Sequence, residues 1–236
     1  MNPWPPVKST KGPYAKFGQL RQNYYGCITA MDEQIGRLRS KLRELSIEKN
    51  TLIFFCSDNG PGDKLASKGV ASAGPFKGHK HQMYEGGVLV PACAEWPGVI
   101  KPGSQTAVRC SIIDYFPTVA KIVGYKFSSK QQRPIDGIDL MPVIQGTVTE
   151  RNKDMFFGFR RLHDGTDGKS IISGQYKLLK EAKQNGQTRL FDLESDPYEQ
   201  HDLSDAMPER FATLSLKLNQ LEESCQLSRD GADYSY

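Results

Sequence analysis

The sequence predicts an α/β fold: a helix-flanked sheet over residues 1–148, then a small antiparallel sheet with one packed helix over 149–236. Three observations carry this. A short apolar run, Leu52–Phe55, breaks off at the turn formers Ser57-Asp58-Asn59-Gly60-Pro61-Gly62, as a strand buried on both faces of a sheet does. Ahead of it Tyr24, Ile28, Met31, Ile35, Leu38, Leu42 and Leu45 recur at alternating steps of four and three, one face of a long amphipathic helix. From Thr149 the pattern shifts to short alternating runs between turn residues.

Each element follows from its residues. Residues 1–16, rich in Pro, Lys and Gly, predict an extended loop. The helix spans Gly18 to Ser46; its second face, with Arg21, Asp32, Glu33, Arg37, Lys41 and Arg43, is solvated. Its apolar face fits a coiled-coil seam or a neighbouring sheet, and the strand that follows at once favours the sheet. Residues 60–85 form a Gly- and Lys-rich loop, long enough to suggest function. Val88–Trp96 predicts a strand interrupted by Pro91 and closed by Pro97-Gly98. A helix follows from Ser111 to Gly124, with Ile112, Tyr115, Phe116, Val119 and Val123 as its inward face. Strands are expected at Met155–Phe159, Lys169–Ser173, Tyr176–Leu179 and Arg189–Asp192. A last helix spans 208–225, with Phe211, Leu214, Leu218 and Leu221 on one face.

Composition excludes several function classes. Lys and Arg total 31 against 27 Asp and Glu, a net charge of +4, and no block of like charges reads as a nucleic-acid arm. No apolar run nears the roughly 18 residues of a membrane span. The opening Met1-Asn-Pro-Trp-Pro-Pro lacks the basic-then-apolar order of a signal peptide. Five cysteines (27, 56, 93, 110, 225) lie far apart with no C-x-x-C pair. Their odd number and the apolar neighbours of Cys56 and Cys93 predict free, buried thiols over a zinc site.

Ligands of open α/β sheets bind beyond the carboxyl ends of strands, where Asp58 and Asn59 fall. Their oxygens suit a hard cation, calcium or magnesium; equally, such residues cap a strand as an Asx turn by bonding their own backbone. Lys80 and Lys77 lie in the following loop, with His79 and His81 flanking Lys80. By residue type alone a loop lysine is a solvated charge.

The segment Leu52-Ile-Phe-Phe-Cys-Ser-Asp58-Asn59-Gly60 resembles the strand-to-loop segment of the type I sulfatases, in the alkaline phosphatase superfamily. So does Phe76-Lys77-Gly78-His79-Lys80-His81-Gln82-Met83-Tyr84-Glu85-Gly86-Gly87-Val88-Leu89-Val90-Pro91. The similarity continues through Asp114-Tyr-Phe-Pro117-Thr118, Asp136-Gly-Ile-Asp139-Leu and Leu190-Phe-Asp-Leu-Glu-Ser-Asp-Pro197-Tyr-Glu199. It implies part of an alkaline-phosphatase-like sulfatase sheet and an enzyme that hydrolyses a sulfate ester with calcium. Asp58 and Asn59 correspond to two calcium ligands, and Lys80 to the lysine that binds a sulfate oxygen and stabilises charge on the leaving oxygen. Lys77 keeps a positive charge where the family has Arg, in a supporting role. His79 and His81 stand where the family tends to have Gly, as substrate contacts, a leaving-group acid or exposed loop residues. Glu85 fits a structural role, and His163 and His201 fit surface or packing roles.

The family's nucleophile is a formylglycine made from a Cys/Ser-x-Pro-x-Arg motif, and no such motif occurs in these residues; Cys225-Gln-Leu-Ser-Arg229 has Leu in place of Pro. The resemblance therefore implies the C-terminal portion of a sulfatase that does not turn over alone. Expected partners are a sulfated small molecule or glycan, without nucleic acid or membrane span. Relatives are commonly exported. The alternatives are a phosphodiesterase or phosphonate hydrolase of the superfamily, which usually continues the metal Asp with His rather than Asn, and a non-catalytic sulfated-glycan-binding module.

Overall fold

A computed structural model describes residues 18–126, 128, 133–160, 167–181 and 186–233. The expected loop over residues 1–16, and His163, lie outside the described residues. Helix α1 (Gln19–Glu44) realises the seven-residue stripe. Lys41 and Arg43 occupy its last turn, where cations suit the helix dipole. It ends as Ser46 takes a left-handed φ of 55° and the Ile47 amide reaches back to Leu42 O.

Strand β1 (Ile53–Cys56) follows and leads into the long loop, which contains the short helices α2 (Asp63–Ala66) and α3 (Glu85–Val88). Strand β2 (Ala92–Glu95) pairs antiparallel with β1, from Ile53 opposite Glu95 to Cys56 opposite Ala92. The strand expected from Val88 thus begins later: Gly86 and Gly87 belong to a helical turn, and pairing starts only after Pro91, which has no amide to give.

Three further expectations change. All four residues of β1 are half-buried: among the described residues the sheet has two strands here, and Phe54 gains an aromatic lid, a stacked ring from Tyr115 at 4.3 Å. The α1 stripe is likewise open: Ile28, Met31, Leu38 and Leu45 are exposed, and an ion pair from Arg39 to Glu95 (2.8 Å) ties the helix to β2. All five cysteines are free, but Cys93 is exposed and Cys56 half-buried, since neither strand of this pair is fully covered.

Helix α4 (Tyr115–Ile122) follows a single tight turn at Ile112–Asp114, capped by reciprocal bonds between Ser111 and Asp114. Its buried residues are Thr118 and Ala120, while Ile112, Phe116, Val119 and Val123 are exposed, the reverse of the expected inward face. Polar bonds decide the orientation. Thr118 Oγ1 donates to Asp114 O (2.6 Å) and accepts from the Leu140 amide (2.8 Å), just before α5 (Met141–Ile144). Arg151 grips the Asp114 carboxylate with two guanidinium nitrogens at 2.8 and 2.9 Å.

The C-terminal part matches its pattern closely. Strands β3 (Met155–Arg160), β4 (Asp167–Ser173), β5 (Tyr176–Lys180) and β6 (Thr188–Asp192) form an antiparallel sheet in chain order, followed by α6 (Pro208–Arg229). Ile171, Leu178 and Leu190 stand opposite one another and face Leu214 and Leu218 of α6. One residue along, the side chains turn to the other face, where Ile172, Leu179 and Phe191 join Met155, Leu193 and Tyr84. Tyr84 belongs to the long loop, so this face of the sheet is the floor beneath it. No helix among the described residues is long and apolar enough to cross a membrane.

Candidate functional site

The turn beyond β1 is held by its own side chains. Asp58 Oδ1 accepts the Asn59 amide (3.0 Å), Asn59 Nδ2 donates to Gly60 O (2.9 Å), and Ser57 Oγ donates to Asn59 O (3.1 Å). For Asp58 and Asn59 this local bonding is to the next residue, not two residues on as in an Asx turn. It engages one polar atom on each of Asp58 and Asn59, leaving a carboxylate oxygen and the amide oxygen. Asp58 is exposed and Asn59 half-buried.

The loop bearing Lys80 folds back on itself and docks on this turn. Gly86 N donates to Lys77 O (2.7 Å) and Gln82 N to His79 O (3.0 Å). Space at the fold is so limited that a Cβ on Gly87 would lie 2.0 Å from Gln82 O. Two backbone bonds join loop and turn: Gly60 N to Gly87 O and Lys80 N to Pro61 O, both 2.9 Å. The segments carrying Asp58, Asn59 and Lys80 are thus adjacent at the end of β1.

Lys80 is half-buried, and its ammonium makes no ion pair with the described residues. His79 Nδ1 lies 2.8 Å from Lys80 O. A carbonyl only accepts, so Nδ1 carries the hydrogen and Nε2 of the neutral ring is an acceptor. His81 is exposed and holds a left-handed φ of 76°, a backbone strain of about 1 kcal/mol or more for a non-glycine residue. Lys77 lays its Nζ 4.2 Å from the Tyr84 ring centre, a cation–π contact that places its charge on the floor of the loop.

That floor is polar beneath its apolar surface. The Tyr84 hydroxyl donates to Glu181 and accepts from Arg189 (2.7 Å). Burial, then the Glu181 carboxylate, push the phenol above its ordinary range. Glu85, which fits the expected structural role, is buried; its amide donates to Glu199 Oε2 (2.6 Å) and its carboxylate accepts from Lys177 Nζ (2.9 Å). Arg109 approaches the same carboxylate at 3.5 Å. Sequence reasoning missed Lys177 and Arg109. The signal was present for Lys177: in β5 it shares a face with Leu179, so a lysine stands in an inward register. His201 is exposed, with Nδ1 3.4 Å from Asp196.

No group of three or more His, Cys, Asp or Glu among the described residues forms a metal cluster. Asp58 and Asn59 nevertheless fit a hard cation, as adjacent oxygen donors on one turn. Calcium takes six to eight oxygens, so they fit part of its shell.

Comparison with known proteins decides the family. The sulfatase family model matches residues 2–125, and that of the N-sulphoglucosamine sulphohydrolase C-terminal region matches residues 76–225. The chain belongs to the sulfatase family. It is 40% identical over 165 residues to N-acetylgalactosamine-6-sulfatase of Sus scrofa, covering 69% of this chain and 30% of that protein. With steryl-sulfatase of Homo sapiens it shares 36% over 147 residues, 60% of this chain and 25% of the other. The crystal structure of Ps i-CgsB in complex with k-i-k-neocarrahexaose superposes with a TM-score of 0.76 at 28% identity, over 88% of this chain and 44% of that one. Phosphonate Monoester Hydrolase of Agrobacterium radiobacter shares the fold, with a TM-score of 0.63 at 23% identity, over 91% of this chain and 44% of that one. The chain spans less than a third of the length of these sulfatase relatives. The sulfatase fold, α/β with a C-terminal antiparallel sheet and its helix, is the expected one.

Proposed function

We propose that this chain supplies one side of a sulfatase active site, binding the sulfuryl group of a sulfate ester. The observation that carries it is the pair of backbone bonds, Gly60 to Gly87 and Lys80 to Pro61, which place the Asp58-Asn59 turn beside the Lys80 loop. Asp58 and Asn59 would hold calcium, which when bound supplies Lewis-acid polarisation of a sulfate oxygen. The ammonium of Lys80, a half-buried residue without an ion-pair partner among the described residues, binds a second sulfuryl oxygen and offsets charge that gathers on the leaving oxygen. His79 and His81 are substrate contacts on either side of it. Neutral His79 accepts rather than donates at Nε2, so it acts as a leaving-group acid only as imidazolium. Lys77 adds positive field from its place over Tyr84.

Sulfated sugars are the favoured substrate class, on the likeness to N-acetylgalactosamine-6-sulfatase. The same likeness supports an exported enzyme, in the periplasm, outside the cell or in the lysosome. Since these residues contain no Cys/Ser-x-Pro-x-Arg, they bind a sulfated ligand alone without hydrolysing it. The test has two arms. Titration of the 236-residue protein with a sulfated monosaccharide and calcium should show binding that Lys80→Ala weakens about tenfold or more, and that Asp58→Asn uncouples from calcium. A chromogenic aryl sulfate should release no alcohol. Equal binding by wild type and Lys80→Ala would remove the sulfatase-site reading, and turnover lost in Lys80→Ala would remove the claim of inactivity.

A further inference from the structure

Besides Tyr84, a buried lattice of charge ties the Lys80 loop to the C-terminal sheet, and its cations Lys177 and Arg109 lie outside the sulfatase-like motifs. Lys177, wholly buried on β5, places Nζ 2.9 Å from Glu85 Oε1 and 2.9 Å from Glu199 Oε1. The contact to Glu199 is an ion pair lying off hydrogen-bond direction. Glu199, also wholly buried, turns its other oxygen to the Glu85 amide at 2.6 Å, and Arg109 completes a group of two cations and two carboxylates.

Each member comes from a separate part of the chain: the loop's helix α3, the segment before α4, β5, and the turn after β6. Glu199 pays for its place with a left-handed φ of 56° at a non-glycine residue. Burial raises its pKa against the pull of Lys177. Buried ions are costly to desolvate, and hydrophobic residues of similar volume are often as stable. Packing alone would therefore be served by an aliphatic residue beside Leu179. What the lattice adds is direction: it fixes the Glu85 amide and carboxylate together. Glu85 opens the helical turn whose next residues, Gly86 and Gly87, bond Lys77 O and receive the Gly60 amide.

We infer that Lys177 and Glu199 are positioning residues for the sulfate-binding loop, setting through Glu85 where the Lys80 ammonium stands. This rests on the sulfatase-site reading for its ligand but not for its geometry. Tyr84 and the backbone bonds to the turn also hold the loop, but the lattice is what adds direction to the Glu85–Gly87 turn beside them, and a lysine side chain on a drifting loop binds an anion poorly. The carboxylate of Glu85 is thereby engaged by Lys177 and Arg109 and is not a general base.

The experiment uses the full 236-residue protein and its Lys177→Met, Glu199→Gln and Lys80→Ala variants. Backbone amide exchange is followed by NMR, and inorganic sulfate is titrated in the presence of calcium. Lys177→Met should speed exchange at Lys80, Gly86 and Gly87 by about tenfold or more, and raise the sulfate dissociation constant about tenfold. The amides of Leu178 and Leu190 should exchange as in wild type. Glu199→Gln keeps an acceptor for the Glu85 amide, so its effects should be intermediate. It also serves if Lys177→Met fails to fold. Acceleration spread evenly over β5 and β6, or no change in the loop in either variant, overturns the inference. Loop acceleration with sulfate binding that Lys80→Ala leaves unaltered upholds the coupling and removes only the ligand.

Discussion

Gly60 and Gly87 meet backbone to backbone. The Gly60 amide donates to Gly87 O at 2.9 Å, and a Cβ on Gly60 would stand 1.9 Å from Gly86 O. Nothing flexible lies in the way to yield, since the opposing atoms are main chain. Gly60→Ala should therefore cost about 1–3 kcal/mol, toward the upper end. It should also loosen the Lys80 amide from Pro61 O. Urea unfolding measures the first effect and amide exchange the second; a fully stable Gly60→Ala would contradict this contact.

Arg151 and Asp114 form the ion pair that orients α4. Asp114 is wholly buried and also accepts the Ser111 and Ile138 amides at 2.7 and 2.8 Å. Removing the guanidinium strands a buried carboxylate, so Arg151→Ala should lose about 3–5 kcal/mol. Arg151→Lys should recover only part, because an ammonium cannot make the two-pronged contact. The double variant Arg151→Met with Asp114→Asn should be more stable than Arg151→Ala in the same urea titration.

The contrast between the two halves shows what a sequence makes legible. Strands β3 to β6 and helix α6 were readable because their partners lie nearby in the chain, and the inward residues Ile171, Leu178 and Leu190 match face to face. For α1 and α4 the periodicity gave the element correctly but not its surroundings. A stripe such as Ile28, Met31 and Leu38 states that a face is apolar, not what covers it. In α4 the decisive term was the Asp114 and Thr118 bonding, invisible to a hydrophobic pattern. The site divides the same way. Asp58, Asn59 and Lys80 are proposed from resemblance, whereas Arg109 enters through a long-range ion pair that no local spacing announces, and Lys177 shows in the sequence only as a lysine in an inward register.

Leu178 sits at the centre of the sheet-to-helix packing, wholly buried among Ile171, Leu190, Leu214 and Leu218. Leu178→Ala removes its methyl groups and leaves a cavity that strands on both sides keep from collapsing. The expected loss is about 2–5 kcal/mol. Denaturant unfolding followed by far-ultraviolet circular dichroism checks it. A loss below about 1 kcal/mol would mean that α6 is not docked on this face.

Acid should unlock β6 through Asp202. Burial opposes its charged form, but bonds from the Ser204 hydroxyl and amide and the Leu190 amide, with Arg189 nearby, outweigh that and lower the pKa below 3.8. Asp192, held by Gln175 and the Glu194 and Ser195 amides, is lowered in the same way. A lowered folded-state pKa means that the unfolded chain takes up the proton first. The stabilisation is therefore complete above the unfolded value and is lost as pH falls through the folded one. Glu199 has the opposite sign: raised by burial, its contribution is present in acid and fades as pH rises through its folded value. Urea midpoints from about pH 6 down to about pH 3 should fall, and Asp202→Asn should flatten that fall while lowering the midpoint near neutrality. Parallel curves for wild type and Asp202→Asn would show that the carboxylate does not clamp the strand.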